Sequence, residues 1–106
     1  DKTISAFKQA VLNSNDSLAM YYVEEYPDLD LFNVSFENGD NCLQIAVRNS
    51  SYNLIYYFLT NGFSPDAQNS INGETALHTA VRVRDVKIVA LLSKYKADAN
   101  ITNTNF

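Results

Sequence analysis

Apolar residues along this chain occur in short sets with helical spacing, separated by polar segments rich in Asn, Asp and Ser. Leu77, Ala80 and Val81 stand at positions i, i+3 and i+4, which predicts a helix with one buried face. A second set follows after a short polar break, at Ile88, Val89 and Leu92. The pattern predicts two short helices joined by a tight turn.

This helix pair is repeated along the chain. Residues 38–48 align with residues 72–82 without a gap, and six of the eleven aligned residues are identical. The displacement is 34 positions, and it brings Leu54, Ile55 and Phe58 onto the apolar places of the later second helix. A weaker copy, displaced by 36 positions, lies nearer the N-terminus at Phe7, Ala10, Val11, Leu18, Tyr21 and Tyr22. One pair cannot bury its apolar side alone, so successive pairs are expected to stack.

The predicted fold class is therefore all-α, an α-solenoid of about three stacked helix-turn-helix units with hairpin-like loops. We expect the units at about 3–36, 37–70 and 71–106, with second helices at about 16–26, 52–61 and 86–95. Asn41 and Thr75 are placed to cap the first helices, Asn41 in a capping box with Gln44. Pro27 and Gly62 are expected to end second helices, and the Asn-Gly dipeptides at 38–39 and 72–73 predict turns.

The segment Thr75-Ala76-Leu77-His78-Thr79-Ala80 resembles the Thr-Pro-Leu-His-x-Ala signature of the ankyrin repeat. The resemblance implies one ankyrin repeat domain over residues 1–106 and a chain that is a piece of a longer array. It also implies a structural role for His78. The chain departs from the family by lacking Gly in the turns between helices, at 14–15, 50–51 and 84–85, and after second helices at Tyr26 and Lys96. Each non-Gly residue forced to positive φ is expected to cost about 1 kcal/mol.

The function implied by the resemblance is non-catalytic protein–protein interaction through the concave surface, where hairpin tips and the exposed side of the first helices meet a partner. The partner is another protein or another segment of the same polypeptide. The expected contact residues are Phe36, Glu37, Asp40, Arg48, Asn49, Ile71, Glu74, Arg82 and Val83. Among them Arg48 and Arg82 stand one repeat apart, placed to recognise an acidic segment. The alternative is a regulatory or targeting (autoinhibitory) segment of a larger enzyme, lipid-transfer protein or channel.

Charge and composition argue against some classes of binding partner. The net charge of −4 gives no general attraction to nucleic acid or to an anionic membrane, and no apolar run is long enough to span a bilayer. Residues 1–47 carry a net −6 and residues 48–106 a net +2, which is either ordinary surface charge or a means of steering a partner. Cys42 is the only cysteine, so no intrachain disulfide forms and an intracellular location, cytoplasmic or nuclear, is expected.

Candidate chemistry is sparse. His78 is the only histidine, so we expect no metal site, no cofactor, no small-molecule substrate and no catalytic residue. A Cys42–His78 dyad is the alternative, and it lacks an orienting third group. Four carboxylates, Glu24, Glu25, Asp28 and Asp30, are interpreted as the solvated end of a helix. Tyrosines on the second helices are either core residues or stacking platforms, and Tyr56 is expected to be exposed.

Overall fold

A computed structural model describes residues 1–103, and this part of the chain contains six α-helices and no strand. The helices are α1 (Lys2–Leu12), α2 (Asp16–Glu25), α3 (Cys42–Arg48), α4 (Tyr52–Thr60), α5 (Ala76–Arg82) and α6 (Val86–Lys94). Two single 3₁₀ turns, Pro27–Leu29 and Leu31–Asn33, follow α2. The all-α prediction is confirmed, and the second helices end within one residue of their expected ends. The last part of the predicted third unit, residues 104–106, lies outside the described residues.

Capping boxes begin α3 and α5, the two shortest helices. The Asn41 side chain accepts the Gln44 N–H, and the Gln44 side chain accepts the Asn41 N–H, each at 3.0 Å. In α5, Thr75 Oγ1 accepts the His78 N–H at 3.4 Å, and the Thr75 N–H donates to His78 Nδ1 at 2.8 Å. His78 therefore performs the capping role that Gln44 performs one repeat earlier. Both predicted caps are confirmed.

The turns between the paired helices contain non-glycine residues in the left-handed backbone conformation. Ser14, Ser50 and Arg84 have φ of 56°, 53° and 61°, as expected from the missing glycines, and Lys96 after α6 has φ 67°. The expectation for Tyr26 is wrong, since its φ is −128°. Pro27 disfavours helical and left-handed conformations in the residue before it. The left-handed residue is Asp30 instead, with φ 51°, between the two 3₁₀ turns.

The helices pair within each unit and stack between units. First helices form one layer, with α3 between α1 and α5, and second helices form the other, with α2 against α4. The buried core between the layers runs through all three units and includes Phe7, Val11, Leu43, Val47, Leu54, Ile55, Phe58, Ile88 and Leu92. Phe32, from the segment after α2, packs edge-on against Phe58 and Phe63. Stacking, as predicted, gives one continuous core.

Two apolar positions are less buried than the repeat pattern predicts. Val81 is 60% exposed and Leu77 is half-buried, whereas Val47 and Leu43, 34 positions earlier, are buried. Helix α3 has a first helix on each side, and α5 has one only on the side of α3 within the described residues. The single apolar face expected for Leu77, Ala80 and Val81 is therefore only partly covered.

The first unit shows the same effect at its outer side. Leu18 and Tyr21, expected to be core residues of the second helix, are exposed, and Ala19 is the buried residue of α2. Phe7, Ala10 and Val11 of α1 are buried as predicted. Each terminal unit has a neighbouring unit on one side only within the described residues. The inner unit has one on both sides, which explains why its burial matches the prediction best.

Leu43→Ala is expected to destabilise the protein more than Leu77→Ala does. Leu43 is fully buried, so its truncation leaves a cavity and costs about 2–5 kcal/mol, while the half-buried Leu77 loses fewer contacts. Urea unfolding followed by circular dichroism measures both. Equal losses for the two variants would contradict the described difference in burial.

Arg84→Gly is expected to stabilise the protein by about 1 kcal/mol, because φ of 61° is strained for Arg and not for Gly. Ala90→Gly, at an exposed position inside α6, is the matched control and should lose about 1 kcal/mol. Thermal unfolding distinguishes the two. A lower melting temperature for Arg84→Gly would show that this turn is not strained.

Candidate protein-binding surface

The turn before α3 is organised around the buried carboxylate of Asp40, which is 1% exposed. Asp40 Oδ2 accepts from Arg48 Nε at 2.6 Å and from Asn38 Nδ2 at 3.0 Å. Asp40 Oδ1 accepts from Asn69 Nδ2 at 2.7 Å, across to the next turn. Asp40 therefore orients Arg48 and joins two turns, and its own side chain is not available to a partner.

The turn before α5 repeats this arrangement with Glu74, which is 2% exposed. Arg82 binds it with both terminal nitrogens, Nη1 to Oε1 at 2.7 Å and Nη2 to Oε2. Asn103 Nδ2 donates to Oε2 at 3.3 Å. Hydrogen bonds from Arg82 hold the pKa of Glu74 below its usual range, against the opposing effect of burial. The two guanidiniums expected one repeat apart are thus each fixed by a buried carboxylate.

Phe36 and Glu37 lie at the junction of the first and second units and differ in exposure. Phe36 is a core residue, 5% exposed. Lys8 Nζ lies 5.7 Å from the centre of the Phe36 ring and donates to Glu37 Oε1 at 2.8 Å. This ion pair lowers the pKa of Glu37. Glu37 is the exposed member of this group, with its side chain 93% exposed.

Successive turns interlock at their tips. Gly39 has φ of 86°, and a Cβ atom there would lie 2.8 Å from Ile71 Cγ1 and 2.5 Å from Asn69 Oδ1. The Ser70 N–H donates to the Gly39 carbonyl at 2.8 Å. Ile71 therefore packs over the preceding turn while its side chain stays 70% exposed. Only glycine satisfies both the conformation and the close approach at position 39.

The C-terminal ends of the first helices supply the remaining predicted contact residues. Asn49 donates to the carbonyl oxygens of Leu12 and Val11 at 3.2 and 3.4 Å, and so ties α3 to α1. Val83, the C-terminal cap of α5, is 43% exposed. We define the turn-and-helix surface as the exposed members of the predicted set: Glu37, Arg48, Asn49, Ile71, Arg82 and Val83. Phe36, Asp40 and Glu74 lie beneath it.

Sequence reasoning missed three residues that shape this surface. Leu12, 44% exposed, is at the place in α1 that Arg48 occupies in α3, and the 36-residue displacement contains that signal. Lys8 and Asn69 carry no comparable signal, because their partners Glu37 and Asp40 are distant in sequence. Their positions depend on how the units stack.

The groups considered for catalysis are engaged elsewhere. Cys42 is fully buried, and burial raises the pKa of its thiol well above the usual range. The Nδ1 atom of His78 accepts a hydrogen bond in the capping box of α5. Within residues 1–103 no group of three or more His, Cys, Asp or Glu side chains is arranged to hold a metal ion. None of the helices described has the length and apolarity that crossing a membrane requires.

Acid is expected to weaken the protein partly through Glu74. Because the folded state lowers its pKa, the stabilisation is complete above the unperturbed value of about 4.3 and is lost as pH falls through the lowered pKa. Glu74→Gln should therefore lose roughly 1–3 kcal/mol at pH 7 and less at low pH. Urea unfolding between pH 7 and pH 3 measures this. Glu25→Gln, at an exposed helix end, is the control and should follow the parent protein.

A comparison with known protein families agrees with the stacked helix pairs described above. A family model described as ankyrin repeats, in three copies, matches residues 7–103. No curated protein matches the chain. Ankyrin repeats are generally protein–protein interaction modules and are typically non-catalytic. Three stacked helix pairs with turn tips in contact, together with a match over almost the whole chain, show that this protein belongs to the ankyrin repeat family.

Proposed function

We propose that this chain is a non-catalytic module that binds another protein through the turn-and-helix surface. The observation that carries the proposal is the state of Arg48. Its Nε donates to the buried Asp40, and its two terminal amino groups make no hydrogen bond with any residue of the described chain. A guanidinium held at one nitrogen with its outer face open is prepared to bind a carboxylate.

Exposed apolar side chains flank this guanidinium and suit the same role. Ile71 is 70% exposed at a turn tip, and Val83 is 43% exposed at the end of α5. Ile71 lies on a turn joined to the preceding turn by the bond from the Ser70 N–H to the Gly39 carbonyl, and the Val83 N–H donates to the Thr79 carbonyl at 2.9 Å. Binding to a rigid surface loses little conformational entropy, and apolar anchors beside a hydrogen-bonding group are typical of interface centres. We propose an acidic segment with apolar residues as the partner.

Arg82 has a different role from Arg48 in this proposal. Both of its terminal nitrogens bind Glu74, so its charge is compensated and fewer donors face a partner. Arg82 supports the surface, and Arg48 supplies the directed contact. The positive half of the chain, residues 48–106 with a net +2, favours the approach of an acidic partner.

The regulatory alternative uses the same surface and a different source of partner. An acidic segment elsewhere in a longer polypeptide would occupy the turn-and-helix surface and compete with any separate protein. Buried Cys42 and the capping role of His78 support a module without chemistry of its own in either case.

The double variant Ile71→Asp, Val83→Asp is expected to lose partner binding while it keeps the fold, because both side chains are exposed. Loss of two apolar anchors should weaken binding by about tenfold or more. Val86→Asp, 78% exposed at the start of α6, is the matched control and should bind normally. Quantitative affinity capture from cells, with the three proteins compared by mass spectrometry, is the measurement. Partners retained equally by both variants would contradict the proposed surface.

Arg48→Lys tests the directed contact separately. Lys keeps the positive charge beside Asp40 and lacks the outer amino groups of the guanidinium. Binding is expected to weaken several-fold with the unfolding midpoint nearly unchanged. A charge-reversing substitution is unsuitable, because it would place a second carboxylate beside the buried Asp40. Unchanged affinity for Arg48→Lys would show that the Arg48 guanidinium makes no directed contact with the partner.

A further inference from the structure

The segment between α2 and α3 is longer than the one between α4 and α5. Asp16 and Tyr52, the first residues of α2 and α4, are 36 positions apart, whereas Gly39 and Gly73 at the turn tips are 34 positions apart. The earlier segment therefore has two additional residues. It contains both 3₁₀ turns found in residues 1–103. The second unit stacks without such an insertion, so stacking alone does not require it.

Two neighbouring cavities lie along this inserted segment. The first has a volume of about 200 Å³ and is lined by Val23, Tyr26, Pro27 and Leu31. The second has a volume of about 270 Å³ and is lined by Asn33, Gly62, Phe63, Ser64 and Ala67. Asp30 and Phe32 line both cavities. We define the two cavities, with Asp30 and Phe32 between them, as the first-unit furrow.

The walls of the furrow are held in place by the core and by local hydrogen bonds. The centre of the Phe32 ring lies 5.1 Å from that of Phe63, in an edge-on contact. The Leu29 N–H donates to the Tyr26 carbonyl at 3.1 Å, and the Val34 N–H donates to the Leu31 carbonyl at 3.2 Å. The furrow is therefore formed before any ligand binds, which lowers the entropic cost of binding.

The size of the cavities limits what can occupy them. Sites for small molecules and cofactors usually have volumes of about 300–1,000 Å³. Each cavity of the furrow is smaller than this and has mainly apolar walls, such as Leu31 and Phe32 in the first and Phe63 and Ala67 in the second. Each is suited to a single apolar side chain. Two adjacent cavities of this kind favour a polypeptide segment.

Asp30 places a negative charge between the two cavities. Its Oδ2 accepts from Asn33 Nδ2 at 2.8 Å, and its Oδ1 makes no hydrogen bond within the described residues. The side chain is exposed. Asp30 thus offers a carboxylate oxygen to a cationic group of a ligand.

The surrounding charge has the same sign. Residues 16–33 include five acidic residues and no basic one: Asp16, Glu24, Glu25, Asp28 and Asp30. None of the five forms an ion pair in the part of the chain that the structure describes. This charge attracts lysine and arginine, and it repels the phosphates of nucleic acids and of anionic membranes.

We propose that the first-unit furrow binds an extended basic segment of another protein, in which a lysine or arginine lies between two apolar residues. The cationic side chain pairs with Asp30, and the apolar side chains fill the cavities on its two sides. An extended chain points alternate residues to the same side, so the expected pattern is apolar-x-basic-x-apolar. The furrow shares no residue with the turn-and-helix surface, for which we propose an acidic partner, and the two proposals are independent.

A labelled peptide with the sequence leucine-serine-arginine-serine-leucine is the probe, and fluorescence anisotropy measures its binding. Asp30→Asn is expected to weaken binding about tenfold, because it removes the charge that pairs with arginine. Asn tolerates the left-handed conformation of position 30, where φ is 51°. Glu25→Gln changes the net charge equally outside both cavities and should bind as the parent does. A peptide with glutamate in place of arginine should not bind.

Tyr26→Ser tests the first cavity. Tyr26 is 40% exposed and lines this cavity, so loss of its ring should weaken binding of the peptide several-fold. Tyr21→Ser is the matched control, since Tyr21 is 52% exposed on α2 and lines neither cavity. Circular dichroism verifies that each variant is folded. A peptide with serine in place of both leucines should also bind more weakly.

Three results would overturn the proposal. The first is a peptide that shows no saturable binding, and the second is equal affinity of Asp30→Asn and Glu25→Gln for the peptide. The third is a parent chain that sediments as a dimer and becomes a monomer on Asp30→Asn, since the occupant would then be a second copy. The double variant Ile71→Asp, Val83→Asp should still bind the peptide, so failure at the turn-and-helix surface is distinguishable from failure here.

Discussion

The structure depends on the mutual burial of helices that are too short to be stable alone. Helices α3 and α5 have seven residues each, well below the length at which an isolated helix persists in water. They form because neighbouring units cover their apolar sides, as α1 and α5 cover α3. Exposure therefore follows position in the stack. Val47 and Val81 have the same residue type and the same place in the repeat, and only Val47 is covered.

Polar interactions act as the second link between units. Asp40 and Glu74 are buried at the turns, and each is satisfied by an arginine of its own first helix and an asparagine of the next segment. A buried carboxylate without these partners would be costly, so the turns are held in one register. Gln44 adds a direct bond from α3 to the next turn. The surface that results is rigid.

Rigidity is what makes the turn-and-helix surface suitable for recognition. Ile71 lies against the turn at Gly39 and stays 70% exposed, and the bond to Asp40 fixes one nitrogen of the exposed Arg48. The same polar network thus supports both the fold and the proposed contact residues. Variation at exposed positions changes the partner without changing the scaffold, which is how one repeat architecture serves many interactions.

The helical repeat, the caps and the helix ends were predictable from the sequence, because they depend on local spacing and on side chains within one turn of each other. Asn41 with Gln44, Pro27 and Gly62 are such cases. The candidate surface was predictable only in outline. Its residues were assigned to turns and helix ends, but local sequence gives no means of telling Glu37, which is exposed, from Asp40, which is buried.

That distinction was decided by tertiary structure, because burial at a turn depends on the neighbouring unit. Asp40 is buried by contact with Asn69, 29 residues away, and Val81 is exposed because no first helix covers it within the described chain. The conformation of Tyr26, by contrast, is a local effect, since Pro27 restricts the backbone of the residue before it; the left-handed residue in this segment is Asp30. Local sequence determined which helices form. Stacking determined which of their polar and apolar side chains a partner can reach.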